Sequence, residues 1–65
     1  MTDASIIRIA RDTLTTDELA VWLAKHVSQL GRRSGSLALG ITEDAWRYRL
    51  RNAEQKLATA LQEAA

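Results

Sequence analysis

The sequence predicts an all-α fold: a small helix-turn-helix bundle of three to four helices that ends in a long C-terminal helix. The chain has 65 residues, no proline and only three glycines, a composition with few residues that interrupt helices. Apolar residues recur at helical spacing in its second half, where Trp46, Leu50, Ala53 and Leu57 share one stripe. We therefore expect a single helical domain over residues 1–65.

A capping box marks the start of the first well-defined helix. Thr15 and Glu18 have the Thr-x-x-Glu spacing in which each side chain accepts a hydrogen bond from the other residue's backbone amide. Apolar residues then recur on one side of the chain until Gly31, and glycine favours a helix end. The pattern predicts a helix over residues 16–30.

The next segment predicts a corner between a short helix and a long one. Gly35 and two serines weaken the helical pattern, so we expect only a short helix over residues 34–39. Gly40 can adopt the positive φ that ends a helix, and the Thr42 hydroxyl can cap the next helix. That last helix is expected over residues 43–62, about 30 Å at about 1.5 Å per residue.

Residues 5–14 fit two templates. Ile7 and Ile9 alternate with Arg8 as in a strand, whereas the wider spacing of the apolar residues suits helical turns. A strand would suggest a ribbon-helix-helix dimer with Arg8 in the major groove. That fold needs a second long helix where two glycines follow, so a helix near residues 4–12 is the favoured alternative.

Composition narrows the classes of function. The chain has no cysteine and one histidine, so it offers no disulfide, no zinc cluster and no Cys-His nucleophile. His26 lies on an apolar face and is expected to be packed. Ser28, Ser34 and Ser36 lack an evident triad. We expect no enzymatic activity, no cofactor and no metal, and the absence of a signal peptide or long apolar span predicts a cytoplasmic protein without membrane contact.

The charge is nearly balanced but unevenly distributed. The formal net charge is +1, well below the strongly basic balance that alone suggests nucleic acid binding. The segment from residue 32 to residue 51, however, carries five arginines against Glu43 and Asp44. Such a local excess of positive charge is what contact with phosphates requires. These arginines are Arg32, Arg33, Arg47, Arg49 and Arg51.

The corner and the helix after it contain a characteristic set of residues. Its members are Leu39, Gly40, Ile41, Thr42, Trp46, Leu50, Asn52, Lys56 and Leu57. With them, the segment from Leu39 to Leu57 resembles the second half of the DNA-binding helix-turn-helix in LuxR-type response regulators and in region 4 of sigma factors. Residues 14–18 resemble the start of the first LuxR-type helix. Residues depart from the pattern in two places: Gly35-Ser36-Leu37 stands for the usual Glu-Ile-Ala, and Trp46 is hydrophobic, as the pattern requires, but stands for the usual Val or Ile. The spacing between Leu14 and Leu39 is also longer than usual, and the usual separate fourth helix is missing or fused. The resemblance covers residues 14–57.

This resemblance implies a recognition helix that begins at Thr42 and enters the major groove. Arg47, Tyr48 and Arg51 would lie on its outer side, within reach of bases or phosphates. Arg32 and Arg33 would contact phosphates before the short helix. The competing interpretation is a solvated face, on which Glu43 and Asp44 pair with Arg47.

The apolar stripe of the long helix also resembles a coiled-coil seam, since its members alternate by three and four residues. So small a chain often gains stability by oligomerisation, and we expect a homodimer. The alternative is that the stripe covers the helix over residues 16–30 within one monomer. The predicted dimerisation residues are Leu50, Ala53, Leu57, Ala60 and Leu61, with Ala64 at the end of the stripe.

Two functions therefore remain open. The first is a small sequence-specific DNA-binding transcriptional regulator, acting as a homodimer on double-stranded DNA. The second is a small helical protein-binding module, an inhibitor or adaptor of another regulatory protein, that keeps the helix-turn-helix shape. Trp46 is expected in the core. If Val21 and Trp22 are both exposed, they would form a surface patch for such a partner.

Overall fold

Four helices follow one another within the described residues, and the last is the longest. The computed structural model describes the backbone of residues 3–64 and the side chains of residues 5–63. Within that range it contains no strand. This architecture confirms the predicted all-α bundle with a long C-terminal helix. Its elements are α1 (Asp3–Thr13), α2 (Thr16–His26), α3 (Arg32–Leu39) and α4 (Glu43–Ala64).

The N-terminal segment is a helix, so the strand alternative and the ribbon-helix-helix fold that depended on it are wrong. Helical spacing turns Ala10 and Leu14 toward the other helices, where they are buried. Arg8 and Arg11 lie on the exposed side of α1. Burial of one apolar face against a neighbour stabilises a helix more than local propensity does. This burial favours the helix over the strand in residues 5–14, where the sequence pattern fits both.

The start of α2 agrees with the prediction. The Thr15 hydroxyl accepts a hydrogen bond from the Glu18 amide at 3.3 Å, and the Glu18 carboxylate accepts one from the Thr15 amide at 3.0 Å. The carboxylate also accepts a hydrogen bond from Lys56 Nζ of α4 at 2.8 Å. The bond from Lys56 and the backbone bond from Thr15 lower the pKa of Glu18. A local capping box thus also joins α2 to α4.

The end of α2 does not agree with the prediction, because the helix stops at His26 rather than at residue 30. The Ser28 amide bonds the Leu23 carbonyl at 3.1 Å, which widens the last turn. Gln29 then has a φ of 58°, in the left-handed region that costs a residue with a Cβ about 1 kcal/mol or more. This reversal returns Leu30 to the apolar interior.

The turn after α2 also changes the start of α3. Gly31, expected to end the preceding helix, is instead the N-cap residue of α3, and it makes no side-chain cap hydrogen bond. α3 begins at Arg32, two residues earlier than predicted. It remains short, as expected, with eight residues.

The corner between α3 and α4 forms as the sequence predicts. Gly40 has a φ of 68°. Its amide bonds the Leu37 carbonyl at 3.2 Å, and the Ile41 amide bonds the Ser36 carbonyl at 3.0 Å; together these bonds form a Schellman motif. The Thr42 hydroxyl then accepts a hydrogen bond from the Ala45 amide at 3.0 Å, so Thr42 caps α4.

The buried side chains form two groups along α4. The first, called here the α1 cluster, packs α1, α2 and the second half of α4 together. The second, called the corner cluster, packs α2 against the first half of α4, with Leu30, Ile41 and Leu50 partly buried around it. The α1 cluster consists of Ala10, Leu14, Trp22, Ala53 and Leu57, and the corner cluster of Val21, Ala24 and Trp46.

Trp46 and Gly35 determine how closely α3 approaches α4. Trp46 is 2% exposed, which confirms its predicted place in the core. A Cβ built on Gly35 would lie 2.2 Å from two atoms of the indole ring, far inside van der Waals contact. The two departures from the helix-turn-helix pattern therefore complement each other, since a large side chain on α4 fits where α3 has none.

The structure corrects the predicted dimer seam. Ala53 is fully buried and Leu57 is 4% exposed within one chain, so neither can face a second copy while the bundle is folded. Leu50, Ala60 and Leu61 are partly buried. Ala64 lies outside the residues whose side chains are described. Ala53 and Leu57 therefore pack within the monomer, as the alternative to the dimer seam predicted.

On α2, the condition for a surface patch is not met, and the expectation for His26 is wrong. Val21 and Trp22 are both buried, so they form no surface patch. His26 was expected to be packed between Leu23 and Leu30, but it is exposed because the early end of α2 leaves it at the surface. Its ring lies 5.1 Å from the ring of Trp22 and is tilted by 40°.

Candidate nucleic-acid interface

The outer face of α4 carries the predicted recognition residues. Trp46 points inward, and successive helical residues turn by about 100°, so Arg47, Tyr48 and Arg51 lie on the outer side. The side chain of Arg47 is 61% exposed, Tyr48 is 67% exposed, and Arg51 is exposed as well. The first half of α4 therefore has one buried apolar side and one accessible polar side.

Acidic side chains partly neutralise this face. Asp44 Oδ1 lies 3.2 Å from Arg47 Nη2, one turn along α4. Glu43 was expected to pair with Arg47, but its Oε1 lies 2.8 Å from Arg32 Nε at the start of α3. Both pairs are solvent-exposed, where such contacts stabilise a protein by about 0–1 kcal/mol. A stronger anion can therefore displace either carboxylate.

Two of the predicted arginines are unpaired. Arg33 and Arg51 are exposed, and their guanidinium groups form no ion pair or hydrogen bond with another described residue. From residue 32 to residue 51, five arginines (32, 33, 47, 49 and 51) stand against two carboxylates (43 and 44), which leaves an excess of three positive charges. The free guanidinium groups are donors that match phosphate or guanine edges.

Thr42 combines two properties at the corner. Its oxygen is engaged as the cap of α4, yet a hydroxyl that accepts one hydrogen bond keeps its own hydrogen for donation. The residue is exposed and sits at the positive end of the helix dipole. The cap function is observed, and the geometry also allows Thr42 to donate to an anion.

Sequence reasoning missed one feature next to this face. A shallow groove runs between the end of α2 and α4, and Lys25 and Glu54 line it together with Arg47 and Arg51. Lys25 Nζ lies 3.3 Å from Glu54 Oε1. The sequence does not predict this pair, because the two residues are 29 positions apart and meet only where α2 crosses α4.

Among the described residues, no group of three or more His, Cys, Asp or Glu side chains could hold a metal ion. None of the described helices combines the length and apolar character needed to cross a membrane.

The chain was compared with known proteins by sequence and by structure. No protein-family model matches it, and neither the search of curated proteins nor that of solved structures found a similar protein. The resemblance to LuxR-type and sigma-factor domains therefore remains a hypothesis that rests on the residues of the corner and of α4.

Proposed function

We propose that this protein is a small sequence-specific DNA-binding transcriptional regulator that places the first half of α4 in the major groove. The observation that carries the proposal is the rigid corner between α3 and α4. Trp46 seated on Gly35 holds the inner side of α4, and the opposite side presents Arg47, Tyr48 and Arg51 to solvent. A helix held in this way can carry side chains to base edges in a fixed register.

The side chains divide between base and phosphate contact. Arg51 is unpaired and can donate two parallel hydrogen bonds to guanine. Arg47 releases its salt bridge with Asp44 and donates to an acceptor on DNA instead. Arg32 and Arg33 at the start of α3 contact phosphates, and Thr42 donates to a phosphate at the start of α4. In this arrangement α3 positions the domain and α4 reads the sequence.

A salt titration tests DNA binding directly. Binding to random duplex DNA should weaken between about 50 and 200 mM salt with a log-log slope of several units, about 0.9 for each phosphate neutralised. Arg47→Ala/Arg51→Ala should lower the slope by one to two units. Arg8→Ala/Arg11→Ala is the matched control, because it removes the same charge from α1. The absence of salt-dependent binding in the wild-type protein would refute the proposal.

We also propose a homodimer, whose interface would be smaller than the sequence predicted because Ala53 and Leu57 are buried within the monomer. Ala60 and Leu61 keep part of their surface accessible in the second half of α4, and a second copy can pack there without disturbing the core. We expect sedimentation to give a dimer for the wild type and a monomer for Leu61→Glu. An unchanged mass in this variant would exclude the surface.

The protein-binding module is retained as a second candidate because of one observation. Leu37 on α3 is 75% exposed, and an apolar side chain in that position contributes nothing to phosphate contact. An inhibitor or adaptor of another regulatory protein would use it as an anchor. Leu37→Gln removes the apolar anchor without adding charge, and it should leave DNA affinity almost unchanged if the protein is a DNA-binding regulator. The place of action of such a regulator would be the cytoplasm.

A further inference from the structure

We propose that Lys25 at the end of α2 is a second point of contact with the DNA backbone. The contact would be made through the shallow groove between α2 and α4. The inference rests on the proposed DNA binding by α4 and extends it to a helix outside the helix-turn-helix. The ligand of the groove would be the phosphate backbone of the same duplex whose bases α4 reads.

The groove continues directly from the recognition face. Its cationic lining consists of Lys25 from α2 and of Arg47 and Arg51 from α4, and its apolar floor includes Leu50 and Ala58. Arg47 and Arg51 lie one turn apart, about 6 Å along the axis. The side chain of Lys25 is 45% exposed. A strand that passes Arg51 on the outer face therefore meets Lys25 next.

The chemistry of the lining favours a polyanion. Three cationic groups from two helices lie near Glu54, the one carboxylate among the described residues that line the groove. The groove is shallow, and its floor at Leu50 and Ala58 is apolar, so the floor offers little with which to recognise a base or a small molecule. Charge and shape both match an extended phosphate backbone, which proteins neutralise with lysine and arginine.

Glu54 holds Lys25 when DNA is absent. Its Oε1 lies 3.3 Å from Lys25 Nζ and 3.9 Å from His26 Nε2. The side chains of Lys25 and Glu54 are both close to half exposed, so this pair adds little to folding. A DNA phosphate that approaches Lys25 must replace Glu54 as its ion-pair partner. Glu54 therefore opposes DNA binding.

The first experiment measures duplex binding by Lys25→Gln over a range of salt concentrations. Loss of one phosphate contact lowers the log-log slope by about 0.9, which weakens binding about eightfold at 0.1 M salt. Arg11→Gln on α1 removes the same charge away from the groove and should change affinity far less. Thermal unfolding should be close to wild type for both variants.

The second experiment separates direct contact from simple neutralisation of Glu54. Glu54→Gln should bind DNA several-fold more tightly than wild type, because Lys25 is freed. Lys25→Gln/Glu54→Gln should then bind about eightfold more weakly than Glu54→Gln alone. If these two variants bind equally, Lys25 only neutralises its neighbour and the inference is overturned.

The outcomes also distinguish this inference from the proposed function. Wild-type protein that does not bind duplex DNA at low salt contradicts both. Wild-type binding that depends on Arg51 but keeps its slope in Lys25→Gln contradicts the second contact alone. Parallel titrations with inorganic phosphate and with anionic phospholipid vesicles complete the test, and a Lys25 effect seen with either of these but not with DNA overturns the inference.

Discussion

The two halves of α4 use the same apolar stripe in different ways. In the first half, Trp46 lies against the backbone of α3 at Gly35, where no added atom fits. In the second half, Ala53 and Leu57 pack among aliphatic side chains and Trp22 in the α1 cluster. The first half therefore adds a close fit of one ring to one glycine to the side-chain packing of the corner cluster, whereas the second half packs among side chains alone.

This difference indicates a division of tasks along one helix. The α1 cluster joins α1, α2 and α4 through five buried side chains, so we expect the second half of α4 to contribute strongly to stability. A single close contact fixes orientation, so the first half determines the angle at which α4 leaves the corner. Because α2 contributes to both clusters, we expect them to unfold together, as small single domains usually do.

The largest effect should come from the α1 cluster. Leu57→Ala removes a side chain that is 4% exposed and should lower the free energy of unfolding by about 2–5 kcal/mol. Thermal denaturation followed by circular dichroism measures this loss. Leu37→Ala is the matched control, because the same substitution at a 75% exposed position should change stability by less than about 0.5 kcal/mol.

Each cluster contains one tryptophan, so cooperativity between them can be measured. Trp22→Phe leaves Trp46 to report on the corner cluster, and Trp46→Phe leaves Trp22 to report on the α1 cluster. Leu57→Ala should shift the denaturation midpoint equally in both backgrounds. Different midpoints for the two fluorophores would show that the halves of α4 unfold separately.

A smaller effect is expected at the corner cluster. Alanine favours a helix over glycine by about 1 kcal/mol, so propensity alone predicts that Gly35→Ala stabilises α3. We expect the opposite, a loss of about 1–3 kcal/mol, because the new Cβ must displace a buried indole. Denaturant titration of Gly35→Ala, of Trp46→Leu and of the double variant gives the coupling. Additive losses would mean that the two residues do not compete for space.

The smallest effect concerns the bond from Lys56 to Glu18, which ties α2 to the second half of α4. Because the pKa of Glu18 is lowered in the folded protein, its stabilising contribution is complete above the ordinary value of 4.5. The contribution is lost as the pH falls through the folded pKa. Glu18→Gln should cost about 1 kcal/mol at neutral pH, and its difference from wild type should shrink in acid.

Thermal unfolding between neutral and acid pH measures this dependence. Asp17→Asn is the control, because Asp17 is exposed beside Glu18 and has no ion pair in the described range. A wild-type protein that loses no more stability in acid than Glu18→Gln would contradict the assignment.

Features that depend on neighbouring residues were predictable from the sequence. The capping box of Thr15 and Glu18, the left-handed Gly40 and the cap at Thr42 each involve groups within five residues of one another, and each formed as expected. The end of α2 was not predictable, because Gln29 adopts a positive φ without being a glycine. Packing of Leu30 in the interior compensates for that conformation.

The candidate interface shows the same limit. The exposure of Arg47, Tyr48 and Arg51 followed from helical spacing relative to Trp46. The ion pair between Glu43 and Arg32 could not be predicted in this way, because Arg32 lies on another helix. Lys25 entered the site only through the crossing of α2 over α4.

By itself, the sequence determined the helical class, the two capped helix starts and the corner before α4, because short-range hydrogen bonds and helical periodicity specify these features. Only the tertiary structure decided that α1 covers Ala53 and Leu57, that Gly35 makes room for Trp46, and that Lys25 joins the basic face. These outcomes depend on contacts between distant segments, where shape and burial, rather than local pattern, determine which side chains meet.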